Sequence, residues 1–279
     1  MAKKHERLRK AAEEENHVLR DHLALQLRTI ASLQNMQQST PRPRQISLRL
    51  LLPRSSMMSG TGAQNTLDNL CSLLVSQLSE TDQVFRLGNM PPTLSEESSE
   101  MVSSTQMHLE VLYSNHLPFH FQAAARALWK NCRNCHKSLS VDPNADTLAN
   151  SFVSSYESDE LSFAMNGHST MRMHDTSTRN VIVSSSKYQL LLDNNGSGSH
   201  YSDKGWVVIE PAHDDATELS ILRVCARIEL NVDGHLSDGE RYLDLLSGFL
   251  LEQKRQEVDT IRLGIENDLL AAPPWQVSL

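Results

Sequence analysis

Long apolar runs are missing from this 279-residue chain. Runs are short, as in Leu50-Leu51-Leu52, stopped by Pro53, so nothing approaches the ~18 consecutive apolar residues of a membrane span. The opening Met1-Ala2-Lys3-Lys4-His5-Glu6-Arg7 has no apolar core of the secretory kind. Cysteine is sparse as well: four in the chain, read without a signal as reduced thiols and not as a disulfide framework. Cytoplasm or nucleus is the expected compartment. G-x-S-x-G, a Walker-type glycine loop, G-x-G-x-x-G and H-E-x-x-H are all absent, so the familiar nucleophile, phosphate and metal elements are missing and no cofactor is expected. Apolar residues make up only 39%, which points to stretches that do not pack.

What is present is unevenly charged. The net charge is −8, which argues against a general binder of nucleic acid or anionic membranes. Residues 1–54 nevertheless carry 11 Lys and Arg against 5 Asp and Glu, and the remainder carries 15 against 29. A basic head precedes an acidic body.

Residues 3–38 contain neither Gly nor Pro. Asn16, Leu23, Ile30 and Gln37 fall at a positions, and Ala12, Leu19, Gln26 and Leu33 at d, which gives a short coiled-coil seam over 1–38. A lone helix with half its seam polar is marginal in water, so a homo- or heterodimer is expected, with Asn16, Leu19, Leu23, Ile30 and Leu33 at the interface. Thr40-Pro41-Arg42-Pro43 ends the helix, and 39–63 reads as a linker. Leu67, Leu70, Leu74 and Leu78 predict a short amphipathic helix over 64–87. The acidic, Ser-rich stretch 88–106, with Glu96, Glu97 and Glu100, reads as a second linker.

From Met107 the pattern changes. His108–Tyr113 reads as a strand and Pro118–Lys130 as a helix. Further strands are predicted at Phe152–Tyr156, Leu161–Met165, Ser169–Met173, Arg179–Val183, Tyr188–Leu192, Trp206–Glu210 and Leu219–Leu230. Asn166-Gly167 falls between two of these and reads as a tight hairpin turn. In the last strand Leu222, Val224, Ala226, Ile228 and Leu230 share one face while Arg223, Arg227 and Glu229 share the other, as in an antiparallel sheet with one wet side. Ser237-Asp238-Gly239-Glu240 fits a capping box, and Leu243, Leu246, Leu250, Val258, Ile261, Ile265 and Leu269 then recur near a 3.6 period until Pro273. The expected class is α+β, an antiparallel sheet closed by one long C-terminal helix.

This order of parts resembles a known family. Arg7-Leu8-Arg9 through Ile30-Ala31-Ser32-Leu33, Asp82-Gln83-Val84-Phe85, Leu117-Pro118-Phe119-His120-Phe121 leading to Ala127-Leu128-Trp129, and Gly205-Trp206-Val207-Val208-Ile209 before the final helix resemble the oomycete START-like proteins often labelled mating-specific. The resemblance implies a helix-grip (START-like) domain over 107–271, non-enzymatic, with a lipid or sterol held between sheet and helix. It places Leu246, Phe249 and Leu250 on the helix side of such a site. Leu222 and Val224 would stand on the sheet wall, and Arg172 or Arg179 would serve as a polar anchor for the head group.

Two other patterns compete. Cys132-Arg133-Asn134-Cys135-His136 matches the C-x-x-C-H haem attachment spacing, but zinc would need further ligands and no second C-x-x-C exists, so these read as incidental thiols. Lys3, Lys4, Arg7, Arg9 and Lys10 before the seam permit an alternative bZIP-like reading, a transcription-associated dimer that binds DNA. Against it, Glu13, Glu14 and Glu15 occupy the turn nearest the seam.

Overall fold

The structure is a computed structural model that describes residues 61–85, 90–91, 93–135, 146–157, 162–192, 199–212, 219–233 and 239–270. The expected coiled coil of 1–38, with Asn16, Leu19, Leu23, Ile30 and Leu33, lies outside the described residues. Among the described residues ten elements follow in order: α1 (Thr61–Val84), β1 (Leu94–Ser103), β2 (Gln106–Leu117), α2 (Phe121–Cys135), β3 (Thr147–Glu157), β4 (Ser162–Asp175), β5 (Asn180–Leu192), β6 (His200–Pro211), β7 (Ser220–Asn231) and α3 (Gly239–Leu270). The seven strands form one antiparallel sheet in the order β1-β2-β7-β6-β5-β4-β3, an α+β arrangement. No helix among the described residues is long and apolar enough to cross a membrane.

Side-chain alternation gives the sheet two apolar faces. The inner face carries α2 and α3. There Leu243, Leu246 and Leu250 of α3 meet Met107, Leu109, Phe163, Met165, Leu190, Ile228 and Leu230, while Val258 and Ile265 join α2 against Leu222, Val224 and Ile209. The outer face carries α1, whose Leu74 and Val84 lie on Val181, Val183, Trp206, Val208 and Cys225 together with Phe85. The strands therefore alternate between two buried sides over much of their length, and the wet side expected of β7 is only partly wet. Arg227 and Glu229 are exposed there, while Cys225 is fully buried.

Three expectations are corrected. The acidic linker 88–106 contains β1, paired along its length with β2 from Leu94↔Ser114 to Ser103↔Gln106. Its serines and glutamates have little strand propensity of their own, so pairing with β2 dictates the strand. One of those acids, Glu97, is clamped from α3 by Arg255, Nε to Oε1 at 3.0 Å and NH2 to Oε2 at 2.8 Å. The sheet thus begins before residue 107. In addition, α1 is not a separate helix but the cover of the outer face.

The third correction concerns Asn166-Gly167, which is no turn. The predicted strands Leu161–Met165 and Ser169–Met173 are one strand, β4, with Gly167 in its middle opposite Phe152 of β3. A Cβ on Gly167 would stand 2.6 Å from Phe152 Cζ. Glycine is required because the Phe152 ring lies flat over it, stabilising a glycine inside a strand by cross-strand aromatic cover. Gly167→Ala is expected to cost about 1–3 kcal/mol in urea unfolding, the usual penalty of overpacking. A loss below about 0.5 kcal/mol would show that the ring is free to move away. Arg179–Val183 and Tyr188–Leu192 are likewise a single strand, β5, joined through Ser184-Ser185-Ser186.

Candidate functional site

The strand register lays the inner face out in rows. One row is polar: from Ile228 of β7 it passes to Asp203, Ser186, Ser169 and Asn150 on β6, β5, β4 and β3. The next row towards the N-terminal end of α3 is aromatic, Tyr201, Tyr188, Gly167 and Phe152, and the row on the other side is small except at its end, Ala226, Gly205, Ser184 and then Met171. Across the polar row from the helix side comes Lys254. It replaces an apolar residue in the α3 stripe, four residues after Leu250 and four before Val258, and so points at the sheet.

Lys254 Nζ lies 2.5 Å from Asp203 Oδ2, with side-chain exposures of only 14% and 6%, and 2.7 Å from Glu257 Oε2. Burial and pairing pull in opposite directions. Burial pushes the Asp203 carboxyl above its ordinary value, with Lys254 opposing. Burial alone would lower the Lys254 ammonium, but Asp203, Glu257 and Tyr188 hold it well above its ordinary value. The short contact decides for the charged pair, since each charge is the other's main replacement for water. The second carboxylate oxygen, Asp203 Oδ1, is buried with no hydrogen-bond partner, and Ser186 Oγ donates to Ser169 Oγ at 2.9 Å. The polar row therefore has one unused acceptor.

Around it the chemistry is inert. Tyr188 stacks on Tyr201, ring centroids 4.1 Å apart, and meets Phe152 edge-on at 5.8 Å. Burial pushes the Tyr188 phenol up to about 12 and that of Tyr201 well above its usual value, so both stay neutral. Tyr156, Phe163 and Phe249 extend the aromatic patch, with Phe249 centroids at 4.5 and 5.3 Å from the other two. The histidines of the described strands, His108, His116, His168, His174 and His200, stand in register on the outer face. Burial pushes the Cys225 thiol, also on that face, up to about 12. Among the described residues, then, neither thiol nor imidazole adjoins the Asp203–Lys254 pair. The small row is notable in another way: Gly205, Ser184 and Met171 are only half-buried although their face carries two helices.

The expected site residues separate into three places. Leu246, Phe249 and Leu250 gather on the aromatic patch. Leu222 and Val224 share the inner face but pack with α2 and the far half of α3. Arg172 and Arg179 are corrected. Arg172 pairs in register with Val183 on the outer face and donates through Nε to Thr147 Oγ1 at 2.7 Å. Arg179, in the β4–β5 turn, binds Asp82 of α1 at 2.6 Å. Strand alternation sends Arg172 away from its inward neighbours Met171 and Met173, and Arg179 stands in a turn beyond the strand. The buried ion pair on the inner face is instead that of Asp203 and Lys254. Of the C-x-x-C-H run, Cys132 packs beside the α2–α3 cluster.

No protein-family model matches the chain, and no curated protein matches it. Among solved structures, an uncharacterised protein from Rhizobium leguminosarum aligns with 62% of this chain and 99% of its own at 11% identity and a TM-score of 0.29. A conserved protein from Geobacillus kaustophilus aligns with 57% of this chain and 95% of its own at 13% identity and a TM-score of 0.35. Both scores lie below 0.5, so what the chain is similar to carries no argument about what it does.

Proposed function

We propose that the protein is a non-enzymatic, START-like binder of a lipid or sterol, held between the inner face of the helix-grip sheet and α3, in a chain that dimerises through residues 5–38. The observation that carries the reading is the buried, unpartnered Asp203 Oδ1 at the end of a polar row, flanked by an aromatic row and by a row in which Gly205, Ser184 and Met171 are half-buried. A site for an amphipathic molecule needs this combination: mostly apolar walls and a few fixed polar groups that orient the head. Two of the three Lys254 donors are taken by carboxylates and Asp203 Oδ1 is an unpaired acceptor, so the head suits a hydroxyl, which donates as well as accepts, better than a carboxylate.

Organic extraction of the purified protein followed by mass spectrometry, and titration with a fluorescent sterol and a fluorescent fatty acid, test it. An empty protein that takes up neither probe overturns the reading. Ser184→Leu fills the small row without touching the ion pair, and its expected effect is a loss of probe affinity of at least about tenfold with the fold retained. Unchanged affinity would place any ligand elsewhere.

A further inference from the structure

The two edges of the sheet are defended differently. An edge strand presents unpaired N–H and C=O groups, and charged side chains are the usual protection against unwanted pairing. β1, at one edge, carries Glu96, Glu97 and Glu100 within ten residues. β3, at the other, runs Thr147-Leu-Ala-Asn-Ser-Phe-Val-Ser-Ser-Tyr-Glu157, eleven residues with no Pro, no Lys or Arg and one charge, at its end. Val153 stands 51% exposed in its middle. Among the described residues nothing pairs with the outer side of β3.

We propose that β3 is an interaction edge whose partner is β3 of a second copy of this chain, paired antiparallel about a two-fold axis at Phe152. In that register Phe152 meets Phe152, Val153 meets Ser151, Tyr156 meets Leu148 and Glu157 meets Thr147. Of the inner-face pairs, Phe152 with Phe152 and Tyr156 with Leu148 are aromatic or aliphatic, of the kind that stabilise neighbouring strands, Asn150 with Ser154 is polar, and no like charges oppose each other. Charge complementarity fixes the choice of partner. The Arg172 side chain crosses from β4 to Thr147, its Nε 2.7 Å from Thr147 Oγ1, so its guanidinium sits near the edge on the outer face. Neither Arg172 nor Glu157 has an ion-pair partner among the described residues. Two-fold pairing brings Glu157 of each copy opposite Thr147 of the other, beside Arg172, and so forms the same ion pair twice. Such a contact is isologous and closes on itself, which yields a dimer and not a fibre.

Cross-linking of the full chain tests this independently of the N-terminal seam. In a Ser151→Cys/Val153→Cys variant the two thiols face each other across the proposed axis, and mild oxidation is expected to give a reducible covalent dimer well above the background of the wild-type cysteines. Ala149→Cys, whose copies stand far apart in this register, is expected to stay at background. Adding Glu157→Arg to the double-cysteine variant should slow cross-linking about tenfold, because two ion pairs become two repulsions, and adding Arg172→Glu as well should restore it. Background cross-linking in the double-cysteine variant, or equal rates with and without Glu157→Arg, overturns the proposal, as does failure of the charge swap to rescue.

Discussion

Asp203→Ala is expected to lower the free energy of unfolding by about 3–5 kcal/mol, because it leaves the Lys254 ammonium buried without its nearest counter-charge. Lys254 is 14% exposed and its other carboxylate, Glu257, is half in solvent, so water replaces Asp203 poorly. The asymmetry of buried pairs gives a sharper form of the test: Asp203→Leu with Lys254→Met together, which removes both charges and keeps the volume, should cost far less than the single change and come near neutral. The pH dependence follows from the raised Lys254 value. A base whose folded pKa lies above its unfolded value contributes stability that is complete below about 10.5 and is lost as pH rises through the folded value. Both pH 7 and pH 10 lie below that value, so the wild type keeps the contribution. In urea unfolding the Asp203→Ala penalty should shrink at pH 10 because burial, no longer opposed by Asp203, lets the variant's Lys254 give up its proton more readily. A penalty below about 1 kcal/mol at pH 7 would mean that solvent reaches the pair. Probe binding by the apolar double variant then separates anchoring from stability, since that variant keeps the fold and lacks the free acceptor.

Much of the architecture was legible in the sequence where a single period governed a long segment. The α3 stripe and the alternating β7 needed no tertiary information. The failures occurred where a partner, and not the segment itself, decided the outcome. β1 is a strand because β2 pairs with it, and Gly167 lies within a strand because a phenylalanine on the neighbouring strand covers it. Ser184-Ser185-Ser186 resembled a break because alternation of serine with serine carries no hydrophobic signal. The inner face was half legible. Leu246 and Leu250 carry the helical period and Phe249 came only with the resemblance, while Lys254 is a charge inside that same stripe, and its period is the clearest mark of an inward lysine. Asp203 had less to reveal it, since only its parity with Tyr201 and Val207 on β6 assigns it to the inner face. Arg172 carried its own warning, flanked on both sides by methionines that point the other way.

Trp206→Ala should destabilise the protein by about 3–5 kcal/mol, as truncation of a fully enclosed tryptophan does when the surroundings cannot close over the gap. Its side chain is 0% exposed, under α1, and its Nε1 donates to the Gln77 backbone carbonyl at 2.9 Å while Gln77 Nε2 reaches the Ser184 carbonyl at 3.0 Å. These two bonds and the surrounding Leu74, Val84, Val183 and Val208 fasten α1 to the outer face, with the Arg179–Asp82 ion pair at the β4–β5 turn. Trp206→Phe keeps most of the apolar area but drops the donor, and is expected to cost about 1–3 kcal/mol. A chemical reporter stands in the adjacent register position: Cys225, opposite Trp206, is fully buried and its thiol is held up to about 12. In the wild type a disulfide reagent should modify it only on global opening, whereas in Trp206→Ala local release of α1 should expose it, raising its rate well beyond the shift that global stability alone accounts for. Retained protection of Cys225 together with a loss below about 1 kcal/mol would show that α1 is not a structural part of the sheet. The alternative result ties residues 61–84 to the domain that the sequence had begun only at 107.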